Sequence, residues 1–204
     1  MMTDSIKMIA FDLFGVILTE GHLISNALIR LLPAHIEKAQ VKFLYEKLNL
    51  GQIHEDEFWS SLGLADAIRI RGQFLTSFTL DPEYKKVVES LSSEYRLSIL
   101  SNLPAAWADE LMVRFEFGQL FLPCLFSGHA RCKKPNAEIY HKLIKLSKLR
   151  AEQIAFIDDR LENLHSAHEL GFGTVHYHRQ DGLHPYKADY TIRQLGELPA
   201  LFRT

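Results

Sequence analysis

The sequence predicts an α/β protein in which a parallel sheet is covered by helices on both faces and a helical bundle is inserted near its start. Two observations predict this fold. Short apolar runs alternate with helical patterns through the second half of the chain. The first apolar run is separated from the second by about 80 residues that have helical patterns only. Alternating strands and helices are typical of a parallel sheet, and one crossover helix needs far fewer residues.

Five short runs rich in Ile, Val and Phe are predicted to be buried strands, because they are apolar and too short for helices. They are residues 6–11, 96–100, 122–126, 154–157 and 174–177. Three helix boundaries are also predicted. Asp81 followed by Pro82, and separately Asn136, are suited to begin helices, and Gly171 is suited to end one. The predicted core is therefore a three-layer, Rossmann-like parallel sheet.

The long first connection is predicted to form a helical bundle, which we call the cap. Its helical patterns cover residues 22–76 and are interrupted by Pro33, Gly51 and Gly63. We expect a cap domain at 19–78 and a core domain formed by 1–18 and 79–204. Apolar residues at helical spacing are expected to form the interior of the cap: Phe43, Leu44, Leu48, Phe58 and Trp59. Its basic residues are expected in solvent, with contact to a substrate as the alternative: His22, Arg30, Arg69 and Arg71.

Composition excludes several classes of function. A hydrophobic content of 47% supplies a proper core, and a net charge of −2 provides no overall attraction to nucleic acid or an anionic membrane. No apolar stretch reaches the length needed to span a bilayer. The first apolar run contains Asp12 and lacks a cleavage site, and two cysteines form no disulfide framework. We therefore expect a cytoplasmic protein without nucleic-acid or membrane partners.

Polar residues follow four of the five predicted strands. They are Asp12, Ser101-Asn102, Lys133-Lys134 and Asp158-Asp159. Ligands of parallel α/β sheets bind at the carboxyl ends of the strands. A buried carboxylate without a partner costs several kcal/mol. The position of Asp12 inside an apolar run therefore indicates a functional site at this edge of the sheet.

The chain resembles the haloacid dehalogenase-like (HAD) superfamily. Four motifs occur in the family's order, with a helical cap after the first: FDLFGV at 11–16, LSN at 100–102, KPNAEIY at 134–140 and IDDRLENLHSAHELG at 157–171. The resemblance implies that Asp12 is a nucleophile and that Ser101 donates a hydrogen bond to the transferred group. It also implies that Asn102 and Lys134 bind substrate, and that Lys134 supplies positive charge to the reaction.

The same resemblance implies a Mg²⁺ site. The ion would be held by Asp12, the main-chain carbonyl of Phe14 and Asp159, with Asp158 close by, and Asn163 would fix the adjoining loop. Electrostatics supports a cation independently. Two carboxylates about 4 Å apart repel by about 4 kcal/mol at an effective dielectric constant near 20, so such a cluster needs a proton or a cation. Hard oxygen ligands suit Mg²⁺.

Other polar residues are expected to lie at the surface. The pairs His165 with His168 and His176 with His178 lack a third metal ligand at a suitable spacing. Lys133 is likewise expected to be the solvated neighbour of Lys134.

Three functions are compatible with the sequence, and the favoured one is a Mg²⁺-dependent phosphatase of a small phosphorylated metabolite, acting through an aspartyl-phosphate. The alternatives are a 2-haloacid dehalogenase and a catalytically degenerate HAD-like protein. Phe14 leaves both alternatives possible, because phosphatases of this superfamily commonly have an Asp at this position and dehalogenases have a Tyr. Asp158 and Asp159 favour a metal, and therefore a phosphate substrate, which is the expected small-molecule partner.

Overall fold

The computed structural model describes residues 5–178 and 185–202. Six strands form one sheet in which all neighbours are parallel, in the spatial order β3-β2-β1-β4-β5-β6. They are β1 (Met8–Phe11), β2 (Arg96–Ser101), β3 (Phe121–Phe126), β4 (Ile154–Asp158), β5 (Gly173–Tyr177) and β6 (Tyr190–Ile192). The predicted α/β class is confirmed, and the five predicted strands agree with β1 to β5 to within about two residues at each end.

The α-helices occupy both the inserted segment and the sheet connections. They are α1 (Lys38–Asn49), α2 (Glu55–Ser61), α3 (Ala67–Thr76), α4 (Tyr84–Ser92), α5 (Ala105–Arg114), α6 (Ser127–Ala130), α7 (Ala137–Ser147), α8 (Leu161–Glu169) and α9 (Leu198–Phe202). A π-helical turn, Leu23–Leu28, opens the inserted segment and continues into a 3₁₀ turn, Ile29–Leu31. None of the helices in the described ranges has the length and apolar character required to cross a membrane.

The central strand β1 divides the interior into two layers. Its four residues are fully buried, and their side chains alternate between the two faces of the sheet. Ile9 and Phe11 contribute to one hydrophobic cluster, and Met8 and Ala10 to the other. The first cluster also includes apolar residues of the cap, and the second includes residues of α7 and α8. The result is the predicted three-layer arrangement.

The strand order sets the position of the functional site. The chain leaves β1 for β2 on one side and later returns to β4 on the other side, so the connections diverge at β1. A crevice forms at such a switch point, outside the carboxyl ends of the strands. The motif residues after β1, β2 and β4 therefore meet in space.

The sixth strand was missed by the sequence analysis. β6 has three residues, lies at the edge of the sheet and pairs only with β5 in the described ranges. So short a segment has too few positions to show a strand period. It is a strand because Val175 and its neighbours offer it hydrogen bonds, which is a property of the tertiary structure.

The predicted start of α4 at Pro82 was wrong, since the helix begins at Tyr84. Asp81 is buried and forms a turn instead. Its main-chain N–H donates to the carbonyl of Ile17 at 2.8 Å, and its Oδ1 accepts from the N–H of Glu83 at 3.0 Å. Asp81 therefore ties the chain to the loop after β1 as it returns from the cap.

The other two helix boundaries agree with the prediction. The side chain of Asn136 accepts from the N–H of Glu138 at 2.8 Å and caps α7. Gly171 follows α8 with a φ of +95°, a conformation that a residue with a Cβ rarely adopts. The sequence identified these positions because capping depends on local chemistry.

The inserted segment is helical, as the pattern indicated, and it shares a core with the sheet. Leu44, Phe58 and Phe74 belong to the same hydrophobic cluster as Ile9 and Phe11 of β1. Leu44, Leu48, Phe58 and Trp59 are buried, as expected. The division of the chain into cap and core domains stays a prediction.

The expected burial of Phe43 was wrong. Its side chain is 59% exposed, and the ammonium of Lys47 lies 4.5 Å from its ring centroid. The buried face of α1 is formed by Val41, Leu44 and Leu48, which follow the helical spacing i, i+3, i+7. Phe43 lies outside this stripe, so its position on the helix places it in solvent.

Close backbone contacts join the cap to the core at Gly128. A Cβ on Gly128 would lie 2.2 Å from the main-chain nitrogen of Ala105, at the start of α5. A Cβ on Gly51, just after α1, would lie 2.6 Å from the carbonyl oxygen of Gly128. Three segments therefore approach within distances that admit no side-chain atom.

Gly128→Ala is expected to lower the free energy of unfolding by about 2–3 kcal/mol, because the added methyl group must separate these segments. Gly72→Ala is the matched control. Gly72 lies inside α3 with open space around its Cα, so alanine there is expected to stabilise the protein by about 0.5–1 kcal/mol. Urea denaturation of both variants measures the difference. Equal stabilities would contradict the close approach at Gly128.

Candidate active site

Asp12 lies directly after β1, with only 7% of its surface exposed. Three hydrogen bonds converge on its Oδ1: from the N–H of Leu13 at 2.7 Å, the hydroxyl of Ser101 at 2.8 Å and the ammonium of Lys134 at 2.9 Å. These bonds hold the carboxylate in one orientation. They leave Oδ2 as the oxygen without a hydrogen-bond donor among the described residues.

Lys134 is the buried cation beside Asp12. Its side chain is 1% exposed, and its ammonium donates at 2.6 Å to Asp158 and at 2.9 Å to Asp12. Burial lowers the pKa of a lysine, but the charges of Asp12 and Asp158 outweigh it and raise the pKa of Lys134. Lys134 is therefore a permanent positive charge between two carboxylates.

Asn102 holds the main chain of Lys134 from both sides. Its Nδ2 donates to the carbonyl of Lys134 at 2.9 Å, and its Oδ1 accepts from the N–H of Lys134 at 2.8 Å. Asn102 also lines a cavity between the strand ends and the cap. These contacts make it a positioning residue for Lys134, and the substrate contact expected of Asn102 stays a prediction.

Asp158, the last residue of β4, is completely buried and fully hydrogen-bonded. Asn163, in the first turn of α8, donates from Nδ2 to both of its oxygens at 3.1 and 3.0 Å, and the N–H of Arg160 donates at 2.8 Å. The carbonyl of Asn163 accepts in turn from the hydroxyl of Tyr140 at 2.8 Å. Asp158 therefore orients Lys134 and is itself fixed by α8.

Asp159 differs from its neighbour in having an unsatisfied oxygen. Its Oδ1 is buried and has no hydrogen-bond partner in the described ranges. Oxygens of Asp12, Asp158 and Asp159 lie within 4.8 Å of one another. Burial, followed by the charges of Asp158 and Asp12, raises the pKa of Asp159 to about 8. An orphaned carboxylate oxygen beside two further carboxylates fits a divalent cation with oxygen ligands.

The loop after β1 passes directly over Asp159. Gly15 has a φ of +81°, and a Cβ on it would lie 2.5 Å from Oδ2 of Asp159. A Cβ on Gly21 would lie 3.2 Å from the same oxygen. Glycine is required at position 15 for both its conformation and its close approach. The carbonyl of Phe14, expected to bind the metal, belongs to this loop, and that role stays a prediction.

The side chain of Phe14 forms an apolar wall of the site. It is 6% exposed and packs edge-on against Phe78, with ring centroids 5.0 Å apart. Phe78 lies in the segment that returns from the cap. The position expected to carry an acid in related phosphatases therefore holds a ring that connects the catalytic loop to the base of the cap.

A cavity of about 380 Å³ lies between the strand ends and the cap. Asp12, Ser101 and Lys134 line its floor. The cap contributes further polar residues that sequence reasoning missed: Lys42, Tyr45, Glu46 and Asn49. Nothing in the local sequence distinguishes these residues from an ordinary solvated helix face. Only the packing of α1 over the strand ends turns that face toward Asp12.

Of the four basic cap residues considered, His22 lines the cavity, and Arg30 and Arg69 are exposed. The expectation that Arg71 is solvated was wrong. Arg71 binds Glu55 at 2.6 Å and Glu110 at 2.7 Å, and so joins α3 to α2 and α5. Partners distant in sequence explain why its side chain is only 29% exposed.

Glu55 is at the centre of these contacts between α2, α3 and α5. It also accepts from the indole of Trp107 at 2.6 Å and from that of Trp59 at 3.0 Å. Its burial opposes ionisation, but the bonds from Arg71, Trp59 and Trp107 outweigh that effect and lower the pKa of Glu55. The carboxylate is therefore charged, and it holds the cap on α5.

Two further surface expectations need correction. His176 is buried, and its Nε2 lies 3.3 Å from the carbonyl oxygen of Asp159, because β5 runs beside β4. Burial lowers the pKa of His176. Lys133 is partly exposed as expected, but it pairs with Glu46 of α1 and lines the cavity. His165 and His168 are exposed, as predicted.

Lys134→Met is expected to lower the free energy of unfolding by about 3 kcal/mol near pH 8, because it leaves buried carboxylates without their cation. The deficit should shrink toward about pH 5. Burial already raises the pKa of Asp158, and the charge of Lys134 opposes that rise. Without Lys134 the pKa of Asp158 rises further in the folded state, so protonation at lower pH removes the unpaired charge.

Lys133→Met removes the neighbouring charge and serves as the control. Its pair with Glu46 is partly exposed, so we expect a loss below about 1 kcal/mol. Denaturant titrations at several pH values distinguish the two variants. A Lys134→Met deficit that is small or independent of pH would contradict the ionic role of Lys134.

Known proteins share this fold and, in part, this sequence. Residues 6–171 match the family of haloacid dehalogenase-like hydrolases. Drimenol cyclase of Aspergillus calidoustus is 26% identical over 141 residues, which are 64% of this chain and 27% of the cyclase. The chain therefore spans about a quarter of the length of this curated relative.

Two solved structures illustrate the similarity of fold. A 2-haloacid dehalogenase of Pseudomonas syringae pv. Tomato has a TM-score of 0.73 at 17% identity, covering 96% of this chain and 97% of its own. A HAD family enzyme of Bacteroides thetaiotaomicron, in complex with magnesium and inorganic phosphate, has a TM-score of 0.71 at 19% identity, covering 89% and 100%. With the match over residues 6–171 and the carboxylate-lysine site at the strand ends, the chain belongs to the haloacid dehalogenase-like hydrolase family.

Proposed function

We propose that this hydrolase is a Mg²⁺-dependent phosphatase that acts on a small phosphorylated metabolite through an aspartyl-phosphate. The observation that carries this proposal is the buried, unpartnered Oδ1 of Asp159 beside Asp12 and Asp158. Three clustered carboxylates with one buried lysine carry excess negative charge when all are ionised, and the raised pKa of Asp159 reflects that cost. A divalent cation neutralises this charge in place of a proton. A reaction that requires no cation has no use for this arrangement.

The carboxylate cluster favours phosphate chemistry over dehalogenation, the second candidate. The fold does not separate the two, because a 2-haloacid dehalogenase and a HAD family enzyme in complex with magnesium and inorganic phosphate superpose on this chain to a similar extent. The Bacteroides enzyme contains magnesium and phosphate together, in the same family and fold. We therefore assign Mg²⁺ to Asp12, the main-chain carbonyl of Phe14 and Asp159, with Asp158 close by. When bound, it supplies charge that neutralises these carboxylates and polarises the phosphoryl group.

The other roles in the proposed reaction belong to Asp12, Ser101 and Lys134. Oδ2 of Asp12 attacks phosphorus, the bond between phosphorus and the ester oxygen breaks, and the leaving group departs with that electron pair. Water then attacks the aspartyl-phosphate, which releases phosphate and regenerates the carboxylate. Ser101 and Lys134 hold Oδ1 of Asp12, so that Oδ2 is presented in one direction. Lys134 also stabilises the negative charge on the transferred group.

A substrate panel tests this function. We expect phosphate release from at least one of a set of sugar, acyl and aryl phosphates with Mg²⁺, and none with EDTA. We expect no chloride release from 2-chloropropionate. Asp12→Asn is expected to abolish turnover without unfolding the protein, because the amide is a poor nucleophile of nearly the same size. Halide release that survives EDTA, without phosphate release, would establish the dehalogenase instead.

Variants at Asp159 and Asp66 separate a metal role from a general loss of charge. Asp159→Asn is expected to raise the Mg²⁺ concentration needed for half-maximal rate, so that excess Mg²⁺ partly restores activity. Asp66 is an exposed aspartate of the cap, and Asp66→Asn should leave the Mg²⁺ dependence unchanged. An unchanged dependence in Asp159→Asn would remove Asp159 from the metal site.

Phe14 limits which leaving groups this phosphatase can expel. A phenyl ring cannot donate a proton, and a missing general acid typically costs about 10²–10⁴ in rate. Leaving groups that depart as stable anions depend least on such an acid.

We therefore expect acyl and aryl phosphates to be hydrolysed faster than alkyl phosphates, and Phe14→Asp to accelerate alkyl esters selectively. Phe14→Leu removes the ring without adding an acid and is the matched control. Plots of log rate against leaving-group pKa for the three proteins, with thermal melts to verify folding, measure the effect. A slope that Phe14→Asp leaves unchanged would show that another group donates the proton.

A further inference from the structure

One face of α1 directs hydrogen-bond donors into the catalytic cavity. Lys42, Tyr45 and Asn49 follow the spacing i, i+3, i+7, so they lie on one side of the helix, and all three line the cavity opposite Asp12. We call these residues the donor face. No step of the proposed phosphoryl transfer uses it.

Packing holds the phenol ring of Tyr45 in place and leaves its hydroxyl available to a ligand. Its ring stacks on Trp107, with centroids 5.9 Å apart and planes 22° apart, and Trp107 is held in turn by Glu55. The hydroxyl makes no hydrogen bond to another described residue. Burial, and then the charge of Glu46, raise the pKa of Tyr45, so the phenol stays protonated and available as a donor.

Asn49 and Lys42 are similarly available. Oδ1 of Asn49 accepts from the hydroxyl of Ser127, which leaves Nδ2 as a donor with no partner in the described ranges. Lys42 pairs with no acid there. It differs in this respect from Lys133, which binds Glu46, and from Lys134, which binds Asp12 and Asp158.

We infer that the donor face binds a carboxylate on the part of the substrate remote from the phosphate, so that the substrate is a small phosphorylated carboxylic acid. This inference rests on the proposed function and names its substrate class. A sugar would need acceptors as well as donors for its hydroxyls. Apart from Asp12, the acids that line the cavity are Glu46, which is held by Lys133, and Glu162, which lies 4.0 Å from Arg160. A volume of about 380 Å³ is near the lower end for ligand pockets and suits a small molecule.

Equilibrium binding tests the inference without requiring turnover. The probes are 3-phosphonopropionate and its neutral amide, which have the same shape and a carbon–phosphorus bond that the reaction does not break. Titration calorimetry in excess Mg²⁺ gives the two dissociation constants. We expect the acid to bind the wild-type protein about tenfold more tightly, as for hydrogen bonds to a charged group.

Substitutions on α1 assign that preference to the donor face. Tyr45→Phe keeps the ring on Trp107 and removes only the hydroxyl, and Lys42→Gln removes the charge; each should reduce the acid-to-amide preference several-fold. Lys47→Gln is the control, because Lys47 is on the same helix but lies over the ring of Phe43 and does not line the cavity. It should keep the wild-type preference.

The outcomes separate this inference from the proposed function. Equal binding of acid and amide, or a preference that Tyr45→Phe and Lys42→Gln leave unchanged, would overturn the inference and leave the phosphatase standing. Failure of both phosphonates to bind with Mg²⁺ present would overturn the phosphate site as well, and with it the inference.

Discussion

The buried ammonium of Lys134, between the carboxylates of Asp12 and Asp158, is the interaction on which the rest of the site depends. It contacts the carboxyl ends of two adjacent strands at 2.9 and 2.6 Å and has almost no access to water. Charges so buried are tolerated only when they are paired and hydrogen-bonded. Asn102 holds the lysine and Asn163 holds Asp158, so both amides serve this one contact. Asp159 is left outside the pairing, which accounts for the capacity of the site to take a cation.

The cap and the sheet form one structure around this centre. Glu55 joins Arg71 of the cap to Trp107 of the core helix α5, and Trp107 supports the ring of Tyr45 above the cavity. The ion pair of Glu55 with Arg71 is therefore connected, through the stacked rings of Trp107 and Tyr45, to a hydroxyl in the cavity that Asp12 also lines. The close backbone approach at Gly128 also joins the cap to the core. Together these contacts determine which residues of α1 meet the substrate.

The polarity of the cavity is divided between its two sides. The floor has the charges that the proposed phosphoryl transfer would use, and Phe14 closes one wall with a ring that neither donates nor accepts protons. The opposite side contains the donor face of α1, whose donors have no protein partners among the described residues. A protein that lacks a general acid beside its nucleophile depends on the substrate to provide a stable leaving group, so recognition of the remote part of the substrate becomes a larger part of its specificity.

The sequence by itself determined the α/β class, five strands, the helical insertion, the caps at Asn136 and Gly171, and the residues that meet at the strand ends. These follow from periodicity, local capping chemistry and the alignment of parallel strands, all of which act over short distances or through the order of the chain. Tertiary structure alone decided the pairing of β6, the ion pairs of Arg71, the burial of His176 and the exposure of Phe43. It also decided the donor face of α1. Each of these depends on a partner far away in the sequence, and a solvated helix face and a cavity wall have the same residue pattern until another element packs against them.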